Sequence, residues 1–188
     1  MNLFKRHLSP MWLFFCACLA FLPGCASVGT IVHNVHMVSA GKHGAGLGKT
    51  LVLALTPTTE VVIALENEWV RQLRERGIQA DAASRLLPDE IPPDKQRILE
   101  VVKARGFDTV LVSKVIGVRQ VERNVDSYEV AEVETDLYDT STETKFWSAH
   151  ADTFLVNPTG ERLIQQRRER VTEFVDTLIS EMDKSRVL

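Results

Sequence analysis

Cysteine is scarce in this 188-residue chain, with three residues, and their placement excludes more than their number does. Cys16 and Cys18 lie in one apolar run near the amino terminus and Cys25 just beyond it, so no disulfide framework can staple the body of the chain. Long apolar runs are missing too. The stretch at residues 11–22 falls short of the roughly 20 residues that cross a bilayer. Positive charge is not in excess, with 22 basic against 25 acidic residues, which removes the electrostatic basis for holding nucleic acid. No repeat or low-complexity tract breaks the chain, which is long enough for one domain with its own core.

The signatures of cofactor chemistry are equally thin. Gly48-Lys49-Thr50 looks like the end of a phosphate-binding loop, but His43 stands where its first glycine belongs, and the segment precedes a strand instead of opening a helix. No nucleotide is expected. His33, His36 and His43 sit in a weakly patterned segment without acidic or cysteine neighbours to fix them, so they read as polar linker residues and no metal is expected. No nucleophile, oxyanion hole or cofactor loop is recognisable, so neither catalytic residues nor cofactors are assigned.

What is present begins at the amino terminus. Lys5 and Arg6 precede the apolar run at 11–22, and Leu22-Pro23-Gly24-Cys25 closes it. A basic start, an apolar core and a small residue before the cut are the parts of a secretory signal peptide. The four closing residues resemble a lipobox, with Pro23 an uncommon choice, and predict cleavage after residue 24 and acylation of Cys25, palmitate included. An ordinary signal peptide cut near Ala26 and an uncleaved anchor are the alternatives. One acyl chain holds only weakly, so stable anchoring implies a multiply acylated cysteine. Cleavage removes Lys5 and Arg6 and no acid, leaving 22 less two basic residues against 25 acidic, a net charge of about −5. Ala26 and Ser27 follow the cysteine with no aspartate, which by resemblance to enterobacterial sorting implies the outer membrane, with the domain in the periplasm.

Three parts are therefore expected: a signal peptide at 1–24, a lipidated flexible tether at 25–49 containing Gly41, Gly44, Gly46 and Gly48, and a domain at 50–188. A tether of this length spans roughly 25–30 Å. Alternatively, Ile31, Val32, Val35, Met37 and Val38 dock on the domain or add an edge strand. Residues 51–55 read as a buried strand. Val62, Leu65, Trp69 and Leu73 then recur at helical spacing, with Thr58 or Thr59 as cap and Gly77 after the last turn. A strand at 78–82 and a loop at 86–93 precede a helix that Asp94 caps, that buries Ile98, Val101 and Val102, and that Gly106 stops. A long strand at 107–121 with a bulge at Gly117 leads into a hairpin, 128–138 with 146–156, and 157–160 forms a turn. Leu163, Val171, Phe174, Val175, Leu178, Ile179 and Met182 mark a final helix. The expected fold is α/β (α+β), a mixed sheet of about five strands with three packed helices.

Lys49-Thr50-Leu51-Val52-Leu53-Ala54, Leu65-Glu66, Arg76-Gly77, Leu86-Leu87-Pro88, Gly106 to Val112, Leu137-Tyr138-Asp139 and Phe146-Trp147-Ser148 together resemble a group of small, mostly uncharacterised proteobacterial outer-membrane lipoproteins. Their periplasmic domain is similar to that of penicillin-binding-protein activators and the curli-secretion lipoprotein. The resemblance implies a fold, an envelope location and an envelope protein partner, and no activity.

The hairpin carries the sharpest constellation. Glu132, Glu134 and Asp136 share one face of their strand, and a turn centred near Ser141 and Thr142 sets Glu134 opposite His150 and Glu132 opposite Asp152. Such a face can be an ordinary set of cross-strand pairs, bind a cation or a basic partner, or serve acid-base chemistry. Trp69, Trp147 and Tyr138 read as core, with Trp147 on the face of Ala149, Ala151 and Leu155. Arg162, Arg167, Arg168 and Arg170, interleaved by Glu161 and Glu169, read as a solvated helix face or a docking patch for an acidic partner. The functional expectation is a non-enzymatic binding or assembly module. An oligomeric envelope component and, third, a hydrolase using the hairpin carboxylates are the alternatives.

Overall fold

A computed structural model describes residues 29–38, 46–123, 126–154 and 161–188, leaving out the side chains of 122–128 and 161–166. The candidate leader, Cys25, His43, Gly41 and Gly44, Leu155, the 157–160 turn, and the side chains of Arg162 and Leu163 lie outside that description. The elements are β1 (Ile31–Met37), β2 (Thr50–Leu55), α1 (Thr59–Glu75), β3 (Ala80–Ala82), α2 (Ala83–Leu86), α3 (Lys95–Arg105), β4 (Thr109–Arg123), β5 (Asp126–Asp139), β6 (Thr144–Thr153) and α4 (Glu161–Lys184). They form one six-stranded sheet in the order β1-β6-β5-β4-β2-β3. β3, β2 and β4 run parallel, and β4, β5, β6 and β1 pair antiparallel. This is the mixed α+β architecture expected, with two additions. α2 is a single turn between the expected strand at 78–82 and the expected loop at 86–93, and β1 is an edge strand inside the expected tether, as the alternative reading had it.

The sheet has unequal faces. α1 and α4 cover one face, where Val62, Leu65, Trp69 and Leu73 meet Phe174, Val175, Leu178 and Met182 over Val52, Ala54, Leu111, Val133, Leu137 and Trp147. Burying a large apolar side chain of this kind contributes about 1.5–3 kcal/mol. On the other face, α3, Ala83 and Leu86 cover β2 and the start of β4, through Ile98, Val101, Val102 and Phe107 against Leu51, Leu53, Val110 and Val112. Short α3 cannot reach across β5 and β6, so among the described residues no helix lies over the second face of those strands.

Local chemistry explains the boundaries. Asp94 caps α3 by accepting from the Gln96 N–H at 3.3 Å, and Gly106 stops it in the left-handed conformation at φ 63°. Thr58 holds the N-cap position of α1 without a side-chain cap; its carbonyl instead accepts from the Val61 and Val62 N–H groups. The Gly48-Lys49-Thr50 segment is structural. Lys49 donates to the Arg105 carbonyl at 2.8 Å and lies over the Phe107 ring, while its backbone N–H donates to Asp108 Oδ2 at 2.8 Å. A Cβ at Gly48 would collide with the Asp108 carboxyl.

One acidic side chain ties three elements together from inside. Glu66, 1% exposed on the inner side of α1, accepts from the Ala54 N–H at the end of β2 (2.9 Å) and the Ser84 N–H in α2 (2.8 Å). Burial raises its pKa above the ordinary 4.5 against these hydrogen bonds. Its contribution to stability is therefore fully present below 4.5 and declines as pH rises through the raised value. Glu66→Ala should strand two buried donors and cost about 2–4 kcal/mol, measured by urea unfolding at neutral pH.

Candidate functional site

The uncovered face of β5 and β6 is built by the β5–β6 register. Glu134 pairs with His150, Glu132 with Asp152, and Asp136 with Ser148, while Val133, Thr135 and Leu137 turn to the helices with Ala151, Ala149 and Trp147. The structure thus brings Glu132, Glu134, Asp136, His150 and Asp152 onto one face at the predicted pairings. A register shift at Leu137/Tyr138 sets Tyr138 opposite Lys145 instead of Phe146. Phe146 and Trp147 consequently both enter the core, at 2% and 0% exposure, and Lys145 joins the polar face.

Tyr138 is the correction to the aromatic assignment. Trp69 and Trp147 are core, with Trp69 Nε1 donating to Ser113 Oγ at 3.1 Å, but Tyr138 is half-buried on the polar face and donates to Asp136 Oδ2 at 3.0 Å. Period two forces this, because Leu137 beside it takes the core side. Burial and then the Asp136 carboxylate raise the Tyr138 pKa.

Glu134, Asp136 and Asp152 on this face are compensated by cations and hydroxyls. Asp136 accepts from Ser148 Oγ at 2.6 Å and from Lys145 Nζ at 3.2 Å, and Lys145 also reaches Glu134 at 3.4 Å. Burial works against the Lys145 ammonium, but Asp136 and Glu134 outweigh it and raise its pKa. His150 Nε2 lies 3.5 Å from Glu134, and Lys114 stands opposite Glu134 in register. Gly117, at the shift between Val115 and Gly117, faces Glu132, whose Oε2 lies 3.3 Å from where a Cβ would sit. Asp152 receives Arg119 from β4 and His33 Nε2 from β1 at 2.9 Å.

Sequence reasoning missed Lys145, Arg119 and His33. Lys145 needed the bulge, Arg119 needed the β4–β5 pairing, and His33, read as a linker residue, needed β1. Its own position is a third register shift, between Val32 and Asn34, that leaves Val32 and Val35 against the core. The only advance signal was the set of apolar residues that marked β1 as a possible edge strand. Among the described residues no cluster of three or more His, Cys, Asp or Glu is placed to hold a metal, and no helix is long and apolar enough to cross a membrane.

No protein-family model matches the chain, and no curated protein matches it. Solved structures do. A PelC dodecamer from Paraburkholderia phytofirmans is similar at 20% identity, over 79% of this chain and 96% of that one, with a TM-score of 0.47. Lipoprotein GNA1162 from Neisseria meningitidis is similar at 15% identity, over 73% and 99%, with a TM-score of 0.48. The LpoB C-terminal domain from Salmonella enterica is similar at 14% identity, over 57% and 83%, with a TM-score of 0.36. These are likenesses of fold.

Asp152 is held below its ordinary pKa of 3.8, since hydrogen bonds from His33 and Arg119 outweigh the effect of burial. Its contribution to stability is present above 3.8 and disappears as pH falls through the lowered value. Thermal melts should therefore show wild type losing stability in strong acid, and Asp152→Asn should flatten that part of the curve.

Proposed function

We propose that this protein is a non-enzymatic binding or assembly module of the cell envelope, anchored in the outer membrane by lipid on Cys25, with its domain in the periplasm and an envelope protein as partner. The observation that carries this reading is the half-sheet of β5, β6 and β1, over whose second face no helix lies among the described residues and which is laid with cross-strand charges. Glu132, Glu134, Asp136, His150 and Asp152 then form the partner surface. Their arrangement suits recognition better than hydrolysis: Asp136 and Asp152 are 6% and 9% exposed and engaged by Lys145, Ser148, Arg119 and His33. A carboxylate so engaged is poorly placed to donate a proton, as a general acid must.

The anchor and the strand agree with one another. Ile31, the first residue of β1, stands six positions after Cys25, so the chain between them spans at most about 20 Å. The domain would be held close to its membrane, nearer than the full 25–49 tether would allow. That disfavours a partner deep in the peptidoglycan mesh.

An oligomeric envelope component is the second reading. It is favoured by β1, an edge of the sheet among the described residues, where Ile31, Met37 and the adjoining Val38 are 56%, 50% and 58% exposed, and detergent-phase size measurement separates it from a monomeric module.

The primary reading has a direct test. Cys25→Ser should abolish palmitate labelling and release the protein from the membrane fraction. A photo-crosslinker at His150 should yield a discrete adduct in intact cells while one at Lys103 on α3 does not. Retention of the serine variant in the membrane, or equal labelling from both positions, would sink the proposal.

A further inference from the structure

α1 and α4 run side by side in the same direction: Gln72 Nε2 donates to Asp176 Oδ1 at 2.5 Å, and one turn earlier Glu68 meets Thr172. They follow β2 and β6, which point the same way because both are linked to β4 by parallel or paired antiparallel steps. Both helix N-termini, with their positive dipole ends, therefore lie at one end of the sheet. β1 also begins there, since Ile31 pairs with Asp152 near the end of β6.

Between the two helices runs a groove of about 500 Å³ with Ala64 and Val171 in its lining. Arg167 and Arg168 come into it from α4, followed one turn later by Val171 and Thr172, as i,i+4 spacing requires. Arg167 Nε is the decisive atom. It is buried and has no hydrogen-bond acceptor among the described residues. A buried donor left in this state costs about as much as a lost hydrogen bond, so the chain holds open a position that an incoming acceptor would relieve. Arg168 is exposed one residue further on. Arg71, across the groove, is already engaged by Glu68 and Glu75 at 2.6 Å each, and Glu68 also accepts from Gln72.

We infer that this groove is a second docking site, separate from the open sheet face, and that it takes an acidic segment of a protein partner whose carboxylates reach Arg167 and Arg168 while an apolar side chain lies against the half-buried Ala64. A protein segment fits better than an anionic bilayer. A bilayer would confront the whole rim, Glu60 and Glu68 included, whereas one chain can set its carboxylates only against the two arginines. Grooves between helices take amphipathic segments in this way.

The test is fluorescence anisotropy on the mature, detergent-solubilised protein, using a short labelled glutamate-leucine peptide against a lysine-leucine peptide of the same length. The acidic peptide should bind saturably and the basic one should not. Arg168→Gln, at an exposed position, and Arg167→Lys, which keeps the charge but removes the Nε donor, should each weaken binding about tenfold. Lys103→Gln should leave it unchanged. Absence of saturable binding, or indifference to both arginine variants, overturns the site. So does Arg168-dependent adhesion to phosphatidylglycerol vesicles without peptide binding, which would assign the groove to the membrane. Failure of the lipid anchor would appear in the Cys25→Ser experiment and leave this result standing.

Discussion

Leu137 faces Trp147 across the β5–β6 pair, and most of what distinguishes the two faces of this sheet follows from that register. With side chains alternating at period two, fixing one core pair fixes its neighbours. Ala149, Ala151, Val133 and Thr135 go to the helices, and Ser148, His150, Asp152, Glu134 and Glu132 go to the uncovered side. A slip of β5 by one residue would turn three carboxylates, Glu132, Glu134 and Asp136, toward the helices. The burial of Trp147 and Leu137 at 0% exposure is what holds the register against such a slip. The bulge that admits Phe146 to the same core delivers Lys145 to the polar face, so one packing adjustment also supplies the cation that Asp136 needs.

Charge on the open face is organised by proximity and partial burial. Asp136 and Asp152 are withdrawn from water far enough that solvation alone would not support them, and each has partners from more than one direction. For Asp152 those partners come from β1 and β4, on the two sides of the β6–β5 pair. A single carboxylate thus links the strand β1 to the long central strand β4. Glu66 performs the matching task on the far side of the molecule, joining β2, α1 and α2 through two backbone donors. These two acids respond to pH in opposite senses because one is dominated by burial and the other by its partners.

The entry of the chain gives the domain a direction. β1 and β5 run parallel on either side of β6, so Ile31, the outer part of the β4–β5 hairpin and the N-termini of α1 and α4 all lie toward one end. If the lipid is on Cys25, that end is the one held near the bilayer. The open sheet face and the groove between the helices then lie on opposite sides of the sheet, each accessible to a neighbour alongside the domain.

Much of this could be read from the residues. The buried run at 51–55, the stripe of Val62, Leu65, Trp69 and Leu73, the Asp94 and Gly106 caps and the pairing of Glu134 with His150 each follow from local periodicity or turn chemistry, which a sequence carries explicitly. The candidate lipid site is likewise a linear motif and owes nothing to folding. The tertiary structure alone decided the rest. β1 exists because β6 offers an edge and Val32 and Val35 find the core. Tyr138 is outside the core because Leu137 took the inside place. Lys145, Arg119 and His33 converge on the acids from strands far apart in the chain, and the vacant acceptor position at Arg167 depends on how α4 lies against α1. Spacing along a chain specifies which side of its own element a residue takes, whereas its partner is set by packing between elements, which no local pattern encodes.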